Sequence, residues 1–229
     1  MNYRIGMGGR VFLDYVDPWI NWNWLSSHVA LLTTSLLAHL QLTVIAVAVG
    51  LAISLPVGVV AQRERFLRGP VLTLFGIFYT IPSIALFALL IPYTGLSTLT
   101  AEIGLVGYAV LILTRNVIVG LDAVPRDVID AADGMGYRPF ARLLWVELPL
   151  ALPTIFAGIR IATVTTIGLI TITAVIGQDS LGQLILTGLT DNFHTPLVVG
   201  TVLSVALAFV ADLSLALSQR LAVPWARAA

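Results

Sequence analysis

The chain has 229 residues, of which 58% are hydrophobic and 10% charged, with a mean hydropathy of +0.97. Those proportions lie far from a soluble globular domain and point to an integral membrane protein. Formal net charge is zero at pH 7, so no global basic field argues for a nucleic-acid partner, and the absence of cysteine excludes disulfides, thiolate metal sites and cysteine nucleophiles.

Residues 1–39 open the chain. Arg4, Arg10, Asp14 and Asp17 stand there without a long apolar core, so the stretch does not read as a cleavable signal peptide. Trp19, Trp22 and Trp24 follow among Asn21, Asn23 and Ser26. Indole rings favour the headgroup layer, where an apolar body meets a wet edge, and an interfacial anchor on the outer face is expected. A span needs about 20 mostly apolar residues, and such runs lie near 40–61, 71–91, 99–113, 153–176 and 196–217. None alternates polar and apolar residues as a closed β-barrel requires. The expected fold class is therefore all-α, a polytopic membrane protein of five transmembrane helices forming one domain over 1–229. A helix from 25 to 62 would reach about 57 Å at 1.5 Å per residue, so the part before His39 is expected to be an interfacial or protruding helix.

In the first run Ala46, Gly50, Ser54 and Gly58 recur every four residues and line one helix face with small side chains, which lets another backbone approach closely. That partner is either another helix of this chain or a second subunit. In the second run Pro82 breaks the helix beside Ser83 and frees carbonyls that need partners. The third run is short, with its inner end at Thr114, Arg115 and Asn116 expected in the headgroup layer.

The connection 120–149 carries Asp130, Asp133, Arg138, Arg142 and Glu147, charges that are costly inside a bilayer, so it belongs in water. Asp122 is expected as N-cap, Pro125 as an early helical residue, Met135 as the helix end and Gly136 as a left-handed turn; a second helix starts near Pro139 and stops at Pro149. On the first helix Val128, Ala131, Ala132 and Met135 share a face, rimmed by Asp127, Asp130 and Asp133. The segment is either a narrow knob that enters a partner's groove or a re-entrant loop packed on the chain's own helix ends.

The fourth run is rich in hydroxyls at Thr163, Thr166, Thr171 and Thr173. Thr163 and Thr166, with Tyr79, Thr80, Pro82 and Ser83 of the second run, are the candidate pathway residues, against the alternative that each threonine bonds its own helix backbone. Tyr79, Tyr93 and Tyr108 offer π-faces suited to a quaternary ammonium ion, against ordinary packing. Arg160 and Asp212 sit inside apolar runs at similar depth and are expected to pair or share a polar network, against snorkelling of Arg160. Arginines cluster at 63–68, at 115–142 and at 220–227 and are absent from 93–98 and 177–195. The positive-inside rule then puts the N-terminus out and the C-terminus in.

The run from Asp130 to Pro149 resembles the signature of ABC importer permeases: a Glu-Ala-Ala triplet, three residues, Gly, nine residues, then Ile-x-Leu-Pro. This chain has Asp130-Ala131-Ala132, Gly136 and Val146-Glu147-Leu148-Pro149 in that spacing, with Asp for Glu and Val for Ile. Tyr79-Thr80-Ile81-Pro82-Ser83-Ile84-Ala85-Leu86, Arg115-Asn116 followed by Gly120-Leu121, and Gly158-Ile159-Arg160 are similar to type I importer permeases for glycine betaine, carnitine and choline; methionine permeases are the nearest competitor. The resemblance implies that Asp130, Ala131, Ala132, Asp133, Gly136, Tyr137, Arg138 and Pro149 couple the chain to a cytoplasmic ABC ATPase dimer. It also implies a second permease subunit, identical or sister, an extracytoplasmic substrate-binding protein meeting 177–195, and residence in the cell inner membrane. The chain has no G-x-x-x-x-G-K-[ST] loop, so ATP and Mg are expected on the partner and no cofactor, metal or catalytic residue here. A remote alternative is an intramembrane hydrolase drawing on Asp179, Ser180, His28, His39 and His194, but no H-E-x-x-H or G-x-S-x-G run accompanies them.

Overall fold

The computed structural model describes residues 3–5, 11–13 and 18–227. Arg10, Asp14 and Asp17 lie outside the described residues. A short antiparallel pair, β1 (Tyr3–Ile5) with β2 (Val11–Leu13), precedes a bundle in which all other regular structure among the described residues is helical. Asn21 caps α1 (Trp22–Ser27) by accepting the Trp24 N–H at 3.1 Å. α2 (Val29–Arg63) then runs 35 residues unbroken through Pro56. The residues before His39 therefore continue the first span directly. At about 52 Å, the helix exceeds the hydrocarbon thickness of about 30 Å and must protrude or tilt.

The small-residue face of α2 packs within the chain, against α5 (Thr98–Asp122). A side chain at Gly58 would meet Val117, one at Gly50 would meet Ala109 and Leu113, and the Ser54 hydroxyl donates to the Val110 carbonyl at 3.2 Å. α5 is the centre of the bundle, contacted by α2, by α3 (Arg65–Thr80) and by α8 (Leu148–Ile170). Another close approach is to α8, where a Cβ at Gly158 would run into Asn116. The third span is longer than the apolar run 99–113 because Arg115, Asn116 and Asp122 continue the same helix.

The break at Pro82 is a 95° bend between α3 and α4 (Ser83–Thr94). Proline offers no N–H and restricts the residue before it to extended backbone, and Ile81 has φ −67° and ψ 126°. The carbonyl freed at Ile81 accepts from the Tyr108 hydroxyl of α5.

Three expectations for the connection 120–149 are corrected, those for Asp122, Pro125 and Pro149. Asp122 ends α5 instead of capping the next helix, and its carboxylate receives Arg68 Nη1 at 2.6 Å. The next helix, α6 (Arg126–Gly134), begins after Pro125, whose own extended backbone closes the turn. Gly136 has φ +82°, the left-handed geometry expected of it. The helix beginning at Pro139 does not stop at Pro149. It passes from α7 (Pro139–Arg142) through a π-turn (Leu143–Glu147) into α8 and ends in a 3₁₀ segment (Thr171–Ile176). The wider π-turn directly before Pro149 accommodates a ring that would otherwise clash with the preceding carbonyls.

The short α9 (Leu181–Thr190) and the long α10 (His194–Ala222) complete the chain. α2, α5, the run Pro139–Ile176 and α10 are long and apolar enough to cross a membrane; counting the bent pair α3 and α4 makes five. At the α10 start, the Trp19 ring lies 4.8 Å from that of His194 and the Asn21 N–H donates to Thr195 Oγ1 at 2.9 Å. The tryptophan segment thus joins the α9–α10 corner, leaving Trp19 and Trp22 about two thirds exposed.

Candidate functional site

α6 stands out from the bundle. Of its residues only Ala132 is buried, while Asp127, Val128, Asp130 and Ala131 are exposed, and beyond its end Met135 and Phe140 expose more than 70% of their surface. The predicted alanine ridge is therefore divided: Ala132 faces its own subunit, and Ala131 with Val128 and Met135 faces outward. Gly136, Tyr137 and Arg138 form the exposed turn after α6. Pro149 lies apart, in the first turn of α8 beside Trp145 and Trp225.

Asp133 is not a free rim charge, because it pairs with Arg142 of α7. Arg142 Nε also donates to Glu147 Oε1 at 2.8 Å, and Arg63 Nη2 approaches the same oxygen at 3.6 Å. Glu147 is 5% exposed, and Arg63 donates onward to the Pro139 carbonyl at 3.3 Å. A chain of charges, Asp133 to Arg142 to Glu147 to Arg63, thus ties α6 to the π-turn and to the end of α2. Opposite charges close together and shielded from water attract more strongly than on an open surface.

A groove of about 810 Å³ opens between α3 and α5, walled by Thr73, Gly76, Tyr79, Thr80, Arg115 and Asn116. Hydroxyls, a phenol, an amide and a guanidinium collected within an otherwise apolar bundle suit passage of a polar solute. Tyr79 lies edge-on to Tyr108, with ring centroids 5.5 Å apart. Tyr108 is 4% exposed and bound to the α3–α4 bend, so it serves packing; Tyr93, 87% exposed, stands outside the groove. Pro82 and Ser83 build the bend at the end of α3 and do not line the wall. Thr163 and Thr166 are buried within the subunit, and the Thr163 hydroxyl donates to its own helix at Ile159 O, 2.8 Å away.

Arg160 and Asp212 form a two-pronged ion pair across α8 and α10, Nε to Oδ1 and Nη2 to Oδ2 both at 2.8 Å. Arg160 reaches sideways to the carboxylate in place of snorkelling. About a third of each side chain remains exposed on the single subunit, beside a hollow of about 440 Å³ also lined by Ile161, Val164 and Thr165. Ser180, by contrast, is a buried helix cap that accepts the Gly182 N–H at 3.1 Å, and His39 Nε2 donates to the Ile167 carbonyl at 3.1 Å. Both side chains serve as structural polar contacts in these places.

Sequence reasoning missed Thr73 and the pairing of Arg63 with Glu147. Arg63 was legible as a charge at a helix end, but its partner lies 84 residues away and no spacing rule connects them. Arg115 and Asn116 were read as a headgroup boundary; the helix continues past them and turns them into the groove wall.

The chain matches the family described as binding-protein-dependent transport system inner membrane component over residues 50–222. It is 40% identical over 179 residues to the osmoprotectant import permease protein OsmW of Salmonella typhimurium (strain LT2), covering 76% of this chain and 83% of that one. It is 36% identical over 188 residues to the choline transport system permease protein OpuBB of Bacillus subtilis (strain 168), covering 81% and 86%. Its fold is similar to the inward-facing MetNI methionine ABC transporter, with a TM-score of 0.76 at 25% identity over 86% of this chain and 98% of that one. A protruding helix pair, a polar groove and a five-span bundle are therefore those of a multi-pass permease, and the chain belongs to the family of inner-membrane components of binding-protein-dependent transport systems.

Proposed function

We propose that this chain is the permease subunit of an ATP-driven importer for quaternary ammonium osmoprotectants such as glycine betaine, choline and carnitine. The observation that carries the coupling role is α6, which leaves Asp130, Ala131, Val128 and Met135 free while its inner edge and Asp133 are anchored to the subunit. An ATPase dimer carrying ATP and Mg binds this outward edge. Closure of the ATPase shifts the bundle between inward-open and outward-open arrangements, a population shift and not covalent chemistry. The groove between α3 and α5 lies on the path, with Tyr79 and Thr80 on its wall, and a second permease subunit, identical or sister, completes it. A substrate-binding protein delivers cargo to the outer face at 177–195, with the N-terminus outside and the C-terminus inside. The relatives named for osmoprotectant and choline transport support this cargo class over methionine.

The test is reconstitution of the permease with its ATPase and binding protein in vesicles. ATP-dependent uptake of labelled choline, betaine or carnitine is the expected result; uptake of methionine with none of these compounds overturns the cargo assignment.

A further inference from the structure

The side of α5 away from the polar groove carries a second depression. At 100° per residue, Ile103, Val106 and Val110 lie opposite Ile112 and Arg115. Ile45, Val49 and Ile53 of α2 and Phe75 and Phe78 of α3 supply the other walls, enclosing about 560 Å³. Glu102 lies at one end, little more than one turn from the start of α5. Both its carboxylate oxygens are shielded from solvent, neither meets a donor among the described residues, and no arginine or histidine lines the depression. A shielded carboxylate without a donor is costly, so the site calls for a cation or donor from elsewhere.

The polarity profile limits what that group belongs to. The one ionisable side chain sits toward the end nearest a membrane surface, and from Glu102 apolar walls follow α5 to Val110, about 12 Å toward the bilayer interior. A small hydrophilic cation would leave that length unfilled. A primary ammonium brings positive charge and three N–H donors for the two oxygens, whereas an anionic headgroup would be repelled.

We propose that the depression between α2, α3 and α5 holds a membrane lipid whose primary ammonium headgroup pairs with Glu102 and whose acyl chain lies along Ile53, Phe78 and Val106. The assembled importer, extracted from vesicles holding equal amounts of ethanolamine-headed and glycerol-headed phospholipids, is examined by native mass spectrometry. Wild type is expected to retain the ethanolamine lipid with a preference of about tenfold. Glu102→Gln removes the preference, and Ile103→Trp, which fills the depression and keeps the carboxylate, removes the retained lipid. Equal retention of both lipids by wild type overturns the proposal, as does an undiminished preference in Glu102→Gln or undiminished retention in Ile103→Trp. A photo-crosslink from a benzophenone side chain placed at position 103 to the second subunit in lipid-free complex overturns it too, because a protein segment then covers the site.

Discussion

Glu147 is the residue on which the polar end of the bundle converges. It accepts from Arg142 and lies near Arg63, and with 5% exposure it has little water to replace them. Glu147→Ala takes an acceptor away from Arg142, which keeps Asp133, and from the exposed Arg63, a loss on the order of 1–3 kcal/mol. The expected result is a lower melting temperature in detergent, with Glu147→Gln intermediate because its amide oxygen still accepts from Arg142; equal melting temperatures for all three proteins would refute the role. Glu102 teaches a complementary lesson. It stood inside the apolar run 99–113, and an acid at that depth is a signal in itself. Counting the run as apolar hides it, as an average hides any single residue.

Among the elements, those dictated by chain chemistry were legible. The glycine and serine face of α2, the break at Pro82 and the left-handed Gly136 each follow from a side chain's own geometry. What was not legible depends on neighbours: the 95° size of the bend, the π-turn that carries the helix through Pro149, and the extension of α5 to Asp122. The bend is held from outside by Tyr108, whose hydroxyl donates to the Ile81 carbonyl that the break turns out of the helix. Tyr108→Phe keeps the ring contacts with Phe78 and Tyr79 but strands that carbonyl, at a cost on the order of 1–3 kcal/mol. Thermal unfolding in detergent is expected to begin at lower temperature, and Tyr108→Leu, which also loses the edge-on ring contacts, to be worse still. An unchanged unfolding curve for Tyr108→Phe would mean the bend needs no such support.

For the whole molecule the decisive question is whether the exposed edge of α6 is a transmission surface. Ala131 is exposed and takes no part in the charge chain behind it. Ala131→Trp is therefore expected to leave subunit folding unchanged while lowering ATP-dependent uptake at least about tenfold, the effect of losing roughly 1.4 kcal/mol of docking free energy. Comparing uptake with ATP hydrolysis in the reconstituted complex checks it, and full uptake would move the docking surface elsewhere. From Pro139 to Ile176 the backbone continues for 38 residues without a loop, making a beam of about 57 Å. Pivoted near its middle, a tilt of about 10° carries each extremity about 5 Å sideways. A push applied at the α7 end would thus be delivered at the far end with reversed direction, as on a seesaw.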